Sequence, residues 1–210
     1  MEIDVKVKMY HRDIVDRYSY DTLKKMMRKR FDKSIDYKDD NSKKLSLATI
    51  IAISQNLNIS EDDIFYNEYK KPLLKNYYFN ISHSNEYVVF VKSDKRIGID
   101  IQYMSEADMV IKDYAFTENE KKYIDEDEID KDEINRFYKL WTRKEALVKA
   151  EGSGFIKEPK EVDVSESIKN DEIIYKDVKY YIKGVKYKDY YISVCSENNF
   201  RNIVIENIMH

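Results

Sequence analysis

The chain has 210 residues, 42% hydrophobic and 37% charged, with a formal net charge of −3. That is enough apolar material for one core or two small subdomains, and the charge balance gives no global basic field for nucleic acid. A single Cys (Cys195) excludes an internal disulfide and a thiolate zinc site, and three His residues argue against a histidine-rich metal centre. No apolar run approaches the ~20 residues that span a bilayer, and Met1 to Tyr10 lacks a signal-peptide core. The expectation is a soluble, cytoplasmic protein.

In chain order, Ile3, Val5 and Val7 alternate with polar residues and predict a strand. Residues 21–31 interleave Lys24, Lys25, Arg28, Lys29 and Arg30 with Leu23, Met26, Met27 and Phe31, the pattern of an amphipathic helix with a basic face. Residues 43–57 are apolar nearly all round and predict a helix buried on most sides. Ser60 caps a short turn towards Ile64, and Phe79 and Ile81 begin a second strand region. Tyr87–Val91 and Ile97–Ile101, flanking Lys92–Arg96, read as a β-hairpin. Thr117-Glu-Asn-Glu120 fits a capping box, and the acidic stretch 118–133 reads as solvated. A longer helix should cover Glu133–Ala150 and stop at Gly152 and Gly154. Strand-like patterns return at Ile173–Ile182, Tyr190–Cys195 and Asn202–Ile208. The reading is two α+β halves, 1–95 and 96–210.

Three segments carry chemistry. In Ile97-Gly-Ile-Asp-Ile-Gln102, alternation puts the isoleucines on one face and Gly98, Asp100 and Gln102 on the other. An acid between isoleucines is costly unless it pairs or binds metal, and two oxygen ligands suit a hard cation, although an exposed edge-strand face gives the same pattern. On the long helix, Phe137, Trp141, Glu145 and Lys149 follow a four-residue spacing with Lys144 adjacent, which also describes an ordinary surface pair worth ~0.2–0.5 kcal/mol. Phe79-Asn-Ile-Ser-His-Ser84 runs from strand into turn, where His83 and Ser82 could reach a phosphate, or be simply solvated. Lys71-Pro72 offers one more cation.

Taken together, these segments resemble the signatures of the 4′-phosphopantetheinyl transferases of the Sfp type, in order: Lys71-Pro72 with Phe79–Ser84, then Gly98–Gln102, then Phe137–Trp141 with Lys144-Glu145, Lys149 and Gly152-Ser-Gly154. The likeness covers residues 69–155. It implies two similar α+β halves related by a pseudo-twofold axis, with coenzyme A bound between them. The implied activity is Mg²⁺-dependent transfer (Mn²⁺ as the substitute) of phosphopantetheine to a serine of an apo acyl or peptidyl carrier protein, releasing 3′,5′-ADP. By the likeness, Asp100, Glu145 and Gln102 bind the metal, and Glu145 and Lys149 act in catalysis. Lys71, Ser82, His83, Lys144, Lys149, Lys24 and Lys44 contact coenzyme A. The carrier would dock on 104–134 through Met109, Val110, Tyr114 and Phe116. Neither nucleic acid nor membrane is implied, and a monomer suffices. Two departures stand out: Gln102 replaces the Glu of many members, and Lys70 replaces the Gly before Lys-Pro. The first leaves open a non-catalytic homologue that binds coenzyme A or a carrier protein.

Overall fold

The computed structural model describes residues 3–126, 132–154 and 159–208. The elements run β1 (Ile3–His11), α1 (Tyr20–Met26), α2 (Arg28–Ile35), α3 (Asp40–Asn56), β2 (Phe65–Tyr66), β3 (Pro72–Leu73), β4 (Tyr78–Ser84), β5 (Tyr87–Ser93) and β6 (Ile97–Tyr103). They continue with α4 (Lys112–Ala115), α5 (Glu118–Glu126), α6 (Glu133–Glu151), α7 (Ser167–Asn170), β7 (Glu172–Tyr175), β8 (Val178–Tyr187), β9 (Tyr190–Ser196) and β10 (Phe200–Ile208). Helices and sheets are segregated, and the class is α+β. No helix among the described residues is long and apolar enough to cross a membrane.

Two four-stranded sheets, β10-β1-β5-β4 and β6-β9-β8-β7, form the centre. Strand alternation explains how they stack. In β5, Val88 and Phe90 pack with Tyr10, Ile50 and Ile51 under α1–α3, while Val89 and Val91 face the other way. There they meet Ile97, Ile99 and Ile101 of β6 and Ile192 and Val194 of β9. The opposite face of the second sheet, with Tyr180, Ile182 and Cys195, packs on α6. The layers are therefore helix, sheet, sheet, helix. The last strand, β10, returns to the first sheet and pairs in parallel with β1.

Several boundaries differ from the sequence reading. The basic helix of 21–31 is two helices, broken at Met27, which is buried and extended (φ −152°, ψ 88°). The hairpin expected across 92–96 does not form. β5 pairs instead with β4 through the two-residue turn Asn85-Glu86, where Asn85 takes φ 51°, and β6 pairs with β9. Asn tolerates that left-handed geometry, whereas β6 is buried on both faces as part of another layer. The pattern over 173–182 is likewise a hairpin, since Lys176 and Asp177 both have positive φ and turn β7 into β8. The Thr117–Glu120 capping box is present, but Glu120 is not solvated: it is fully buried. Residues 127–131 of that acidic stretch lie outside the described residues.

Candidate active site

β4 and β6 are edge strands of different sheets, and side chains join them. Every second residue of β4 reaches across. Asn80 Oδ1 accepts from the Ile99 N–H (2.9 Å), Ser82 Oγ donates to Asp100 Oδ1 (2.7 Å), and Ser84 Oγ accepts from the Tyr103 N–H (2.9 Å). The segment Asn80–Ser84 is thus strand to its end, and its polar residues form a seam rather than a polar turn.

Gly98 sets the third side. A Cβ on Gly98 would lie 2.1 Å from the Ala146 carbonyl oxygen and 2.4 Å from the Ala150 nitrogen. Only glycine lets α6 lie directly on β6. That contact brings Glu145 and Lys149, one turn apart, over Asp100. Asp100 is 1% exposed. It accepts from Ser82, from Lys149 Nζ (2.5 Å) and from Gln102 Nε2 (3.0 Å), and Lys149 also donates to Ser82 Oγ (2.9 Å). Burial, reinforced by the negative charge of Asp100 and opposed by Lys149, pushes the Glu145 carboxyl up to about 7. The acid in β6 is therefore no exposed edge residue: two carboxylates share a partly dry seam with one ammonium.

This donor set fits a hard divalent cation. Asp100 and Glu145 supply anionic oxygens with net negative charge left over after Lys149, and Mg²⁺ is ordinarily held by one or two carboxylates plus substrate phosphates. No cluster of three or more His, Cys, Asp or Glu occurs among the described residues, so the remaining ligands would come from outside that set. Gln102 turns its amide nitrogen to Asp100.

Beside the seam lies a cavity of about 720 Å³. Lys29, Arg30, Lys33 and Lys70 line it together with Tyr37, Tyr66, Glu61 and Asp62, with Lys29 paired to Asp62 (2.7 Å), and Asn80, Ile81 and His83 of β4 complete its wall. The break at Met27 starts a new helix, α2, which carries Lys29, Arg30 and Lys33; Glu61 accepts from the Lys29 and Arg30 N–H groups (2.9 Å each) at its first turn. His83 is held below the usual imidazole range, first by desolvation and then by Lys149. Lys70, the departure noted before Lys-Pro, is one of the cavity cations. A larger cavity, about 1010 Å³, opens near Tyr123, Ile173 and Ile174 and holds none of the predicted residues.

Asp100, Gln102, Glu145, Lys149 and Ser82 are thus brought together, with His83 at the edge. Four other predicted residues are not. Lys144 is fully buried on another side of α6, donating to Glu120 (2.6 Å), the Ala115 carbonyl (2.9 Å) and the Pro159 carbonyl (3.1 Å), which leaves no proton for a ligand. Lys71 directs its ammonium to the end of α6, onto the carbonyls of Lys149 and Ala150. Lys24 pairs with Asp32 (3.6 Å) on α1–α2, and Lys44 with Asp13 (2.9 Å) and Asp16 (3.2 Å), and neither lines the cavity. Phe116 is core, edge-on to Phe137, and offers nothing to a carrier, whereas Val110 and Tyr114 are exposed. Lys29 and Arg30 lie in the basic run Lys24–Arg30, which could meet phosphates or an acidic partner on sequence grounds, whereas Lys33 lies beyond that run and the helix-admitting role of Gly98 has no signal but a glycine inside a strand.

Residues 96–195 match the family model of the 4′-phosphopantetheinyl transferase superfamily. The chain is 41% identical over 103 residues to the 4′-phosphopantetheinyl transferase gsp of Aneurinibacillus migulanus, covering 48% of this chain and 43% of that protein. It is 39% and 37% identical over 108 residues to the transferases ffp of Bacillus subtilis and Sfp of Bacillus subtilis strain 168, covering 49% of this chain and 47% of each. The aligned stretch thus spans a little under half the length of these relatives, and the segment Lys71–Ser84 lies before the matched residues. The segment that carries Asp100, Gln102, Glu145 and Lys149 is the part of the chain that matches the 4′-phosphopantetheinyl transferase superfamily.

Proposed function

We propose that this chain transfers the 4′-phosphopantetheine of coenzyme A to a serine hydroxyl of an apo acyl or peptidyl carrier protein. The serine oxygen forms a bond to the β-phosphorus, the bond to the bridging oxygen of the diphosphate breaks, and 3′,5′-ADP leaves with the bonding electrons. The observation that carries this reading is the Asp100–Ser82–Lys149 cluster beside Glu145, opening next to a basic cavity of nucleotide size.

Glu145, beside Asp100 and one turn from Lys149, takes the serine proton. Lys149 balances the charge that grows on the diphosphate, and Ser82 fixes the direction of its ammonium. Lys29, Arg30, Lys33 and Lys70 hold the phosphates of the nucleotide, with His83 at the diphosphate end. Mg²⁺, held by Asp100 and Glu145 with Gln102 nearby, would lower the charge on the diphosphate and help position it. In this reading the halves 1–95 and 96–210 are pseudo-symmetric and the site lies between them, supported by two sheets each with an outer helix layer, although the first sheet takes three strands from 1–95 and its fourth, β10, from 96–210.

The test is chromatographic detection of 3′,5′-ADP released from coenzyme A in the presence of an apo carrier protein. Lys149→Ala and Glu145→Ala should each lower the rate by ~10²–10³, the usual loss on removing one electrostatic stabiliser. Near-normal release by either folded variant would remove that residue from the mechanism. A second reading, a non-catalytic homologue, draws on the Gln102 amide nitrogen pointing at Asp100. It predicts coenzyme A binding with no release by the wild type, and gain of release in Gln102→Glu.

A further inference from the structure

The turn at residues 67–71 is built around one side chain. Asn67 Oδ1 accepts from the Tyr69 N–H (3.1 Å) and the Lys71 N–H (2.9 Å). The Lys70 N–H donates to the Asn67 carbonyl (3.0 Å) and the Asn67 N–H to the Lys71 carbonyl (3.2 Å), with Lys70 at φ 63°. From this fixed turn two donors reach the last turn of α6. Asn67 Nδ2 donates to the Gly152 carbonyl (2.9 Å), and Lys71 Nζ to the Ala150 carbonyl (3.1 Å) and the Lys149 carbonyl. Carbonyls at a helix end lack intrahelical partners, and a cation there complements the helix dipole. Gly152, next to Lys71 Cδ, ends the helix at φ 100°, a left-handed conformation that L side chains rarely adopt.

The same turn is also cavity wall. Tyr66, Lys70 and Pro72, immediately around it, line the basic cavity. One five-residue segment therefore joins the cavity to the backbone of Lys149, whose side chain holds Asp100 and Ser82. We propose that the 67–71 turn couples filling of the basic cavity by a nucleotide to the alignment of Lys149 over Asp100, which makes Asn67 and Lys71 positioning residues. The proposal rests on the reading that this cavity takes the nucleotide of coenzyme A. In this proposal Lys71 acts through α6, with its ammonium on the carbonyls of Lys149 and Ala150. Its two acceptors are backbone atoms, so any effect it has on turnover passes through the placement of the last helical turn.

The experiment combines calorimetric titration of coenzyme A with amide hydrogen exchange of residues 146–154, on the full-length wild type, Lys71→Met and Asn67→Asp. The Asn67→Asp variant keeps the acceptor that builds the turn and removes the donor to Gly152, which guards against a general loss of fold in Lys71→Met. Coenzyme A should slow exchange at the end of α6 by about tenfold or more in the wild type and by less than about twofold in both variants, as expected when a local opening is no longer tied to the ligand. Its affinity should stay within about threefold in both variants, while kcat falls by about tenfold or more through misplacement of Lys149. Lys71→Arg, which restores a cation at the helix end, should recover most of kcat. Coenzyme A binding that slows exchange equally in wild type and variants, or not at all in the wild type, overturns the coupling alone. No binding to the wild type overturns the functional reading together with the coupling, and calorimetry separates that case from the first two.

Discussion

Lys144 and Glu145 are neighbours in sequence and serve opposite ends of the physics. Successive helical residues point about 100° apart, so one enters the C-terminal core and the other the seam. Lys144 and Glu120 form a fully buried ion pair 2.6 Å apart, with the Thr117 and Val164 N–H groups also donating to Glu120. Removing one partner leaves a buried charge. Lys144→Met should therefore cost about 3–5 kcal/mol in denaturant unfolding, and the double replacement Lys144→Met with Glu120→Gln, which removes the orphaned charge and keeps one acceptor for the backbone N–H groups, should recover part of it. Full stability in the single variant would show that the pair does not hold the fold. Glu145 gives a pH signature. Its carboxyl sits at about 7 in the fold against 4.5 when exposed, so the folded state binds more protons than the unfolded chain between those values. Stability of the metal-free protein should then fall as pH rises from about 4.5 to about 7, by on the order of 1–3 kcal/mol. Glu145→Gln should flatten that slope, and an unchanged slope would place the proton elsewhere. The sequence spacing identified Glu145 and Lys149 as partners but not Lys144 as an interior residue, because nothing local marks Glu120, 24 residues earlier, as its counter-ion.

At the scale of elements, the helices were readable where caps and periodicity agree. The helix expected over 43–57 runs Asp40–Asn56, its start moved to the Asp39 cap, which accepts from the Ser42 N–H, and α6 stops at left-handed Gly152 as the glycine predicts. The errors fell where tertiary pairing decides. β5 and β6 are adjacent in sequence and both apolar, but Val89 and Ile99 meet across the gap between sheets and not along a shared ladder. Met27 breaks the basic helix because its side chain is buried in the N-terminal core, and helical propensity alone gives no sign of that. Gly98 was read as part of a metal-facing strand, and its larger role is to admit α6. Gly98→Ala should clash with the Ala146 carbonyl, which is backbone and cannot swing aside. The expected cost is about 1–3 kcal/mol or more, with loss of transfer even at temperatures where the protein stays folded. A Gly98→Ala protein with normal turnover would mean that α6 does not need this approach to set Lys149.

At the scale of the molecule, two sheets packed face to face leave a seam between β4 and β6, where polar side chains bridge strands that share no ladder. The Phe79–Ser84 and Gly98–Gln102 segments could be seen to be unusual in sequence, but their meeting depends on how the layers stack, and residue spacing does not encode that. Val110 (85% exposed) and Tyr114 (61% exposed) present apolar surface between the Gly98–Gln102 and Phe137–Lys149 segments of the chain. In the proposed function these meet the carrier, so Val110→Ser with Tyr114→Ser should raise KM for the carrier by about tenfold and leave KM for coenzyme A unchanged, in keeping with the loss of exposed apolar anchors at an interface. Equal effects on both would argue against docking there.

The most direct test is intact mass spectrometry of an apo acyl or peptidyl carrier protein incubated with this protein, coenzyme A and Mg²⁺. The account predicts a gain of about 340 Da, one phosphopantetheinyl group on a hydroxyl, that disappears with Lys149→Ala. An unchanged carrier mass across several carriers, with coenzyme A measurably bound, would contradict it.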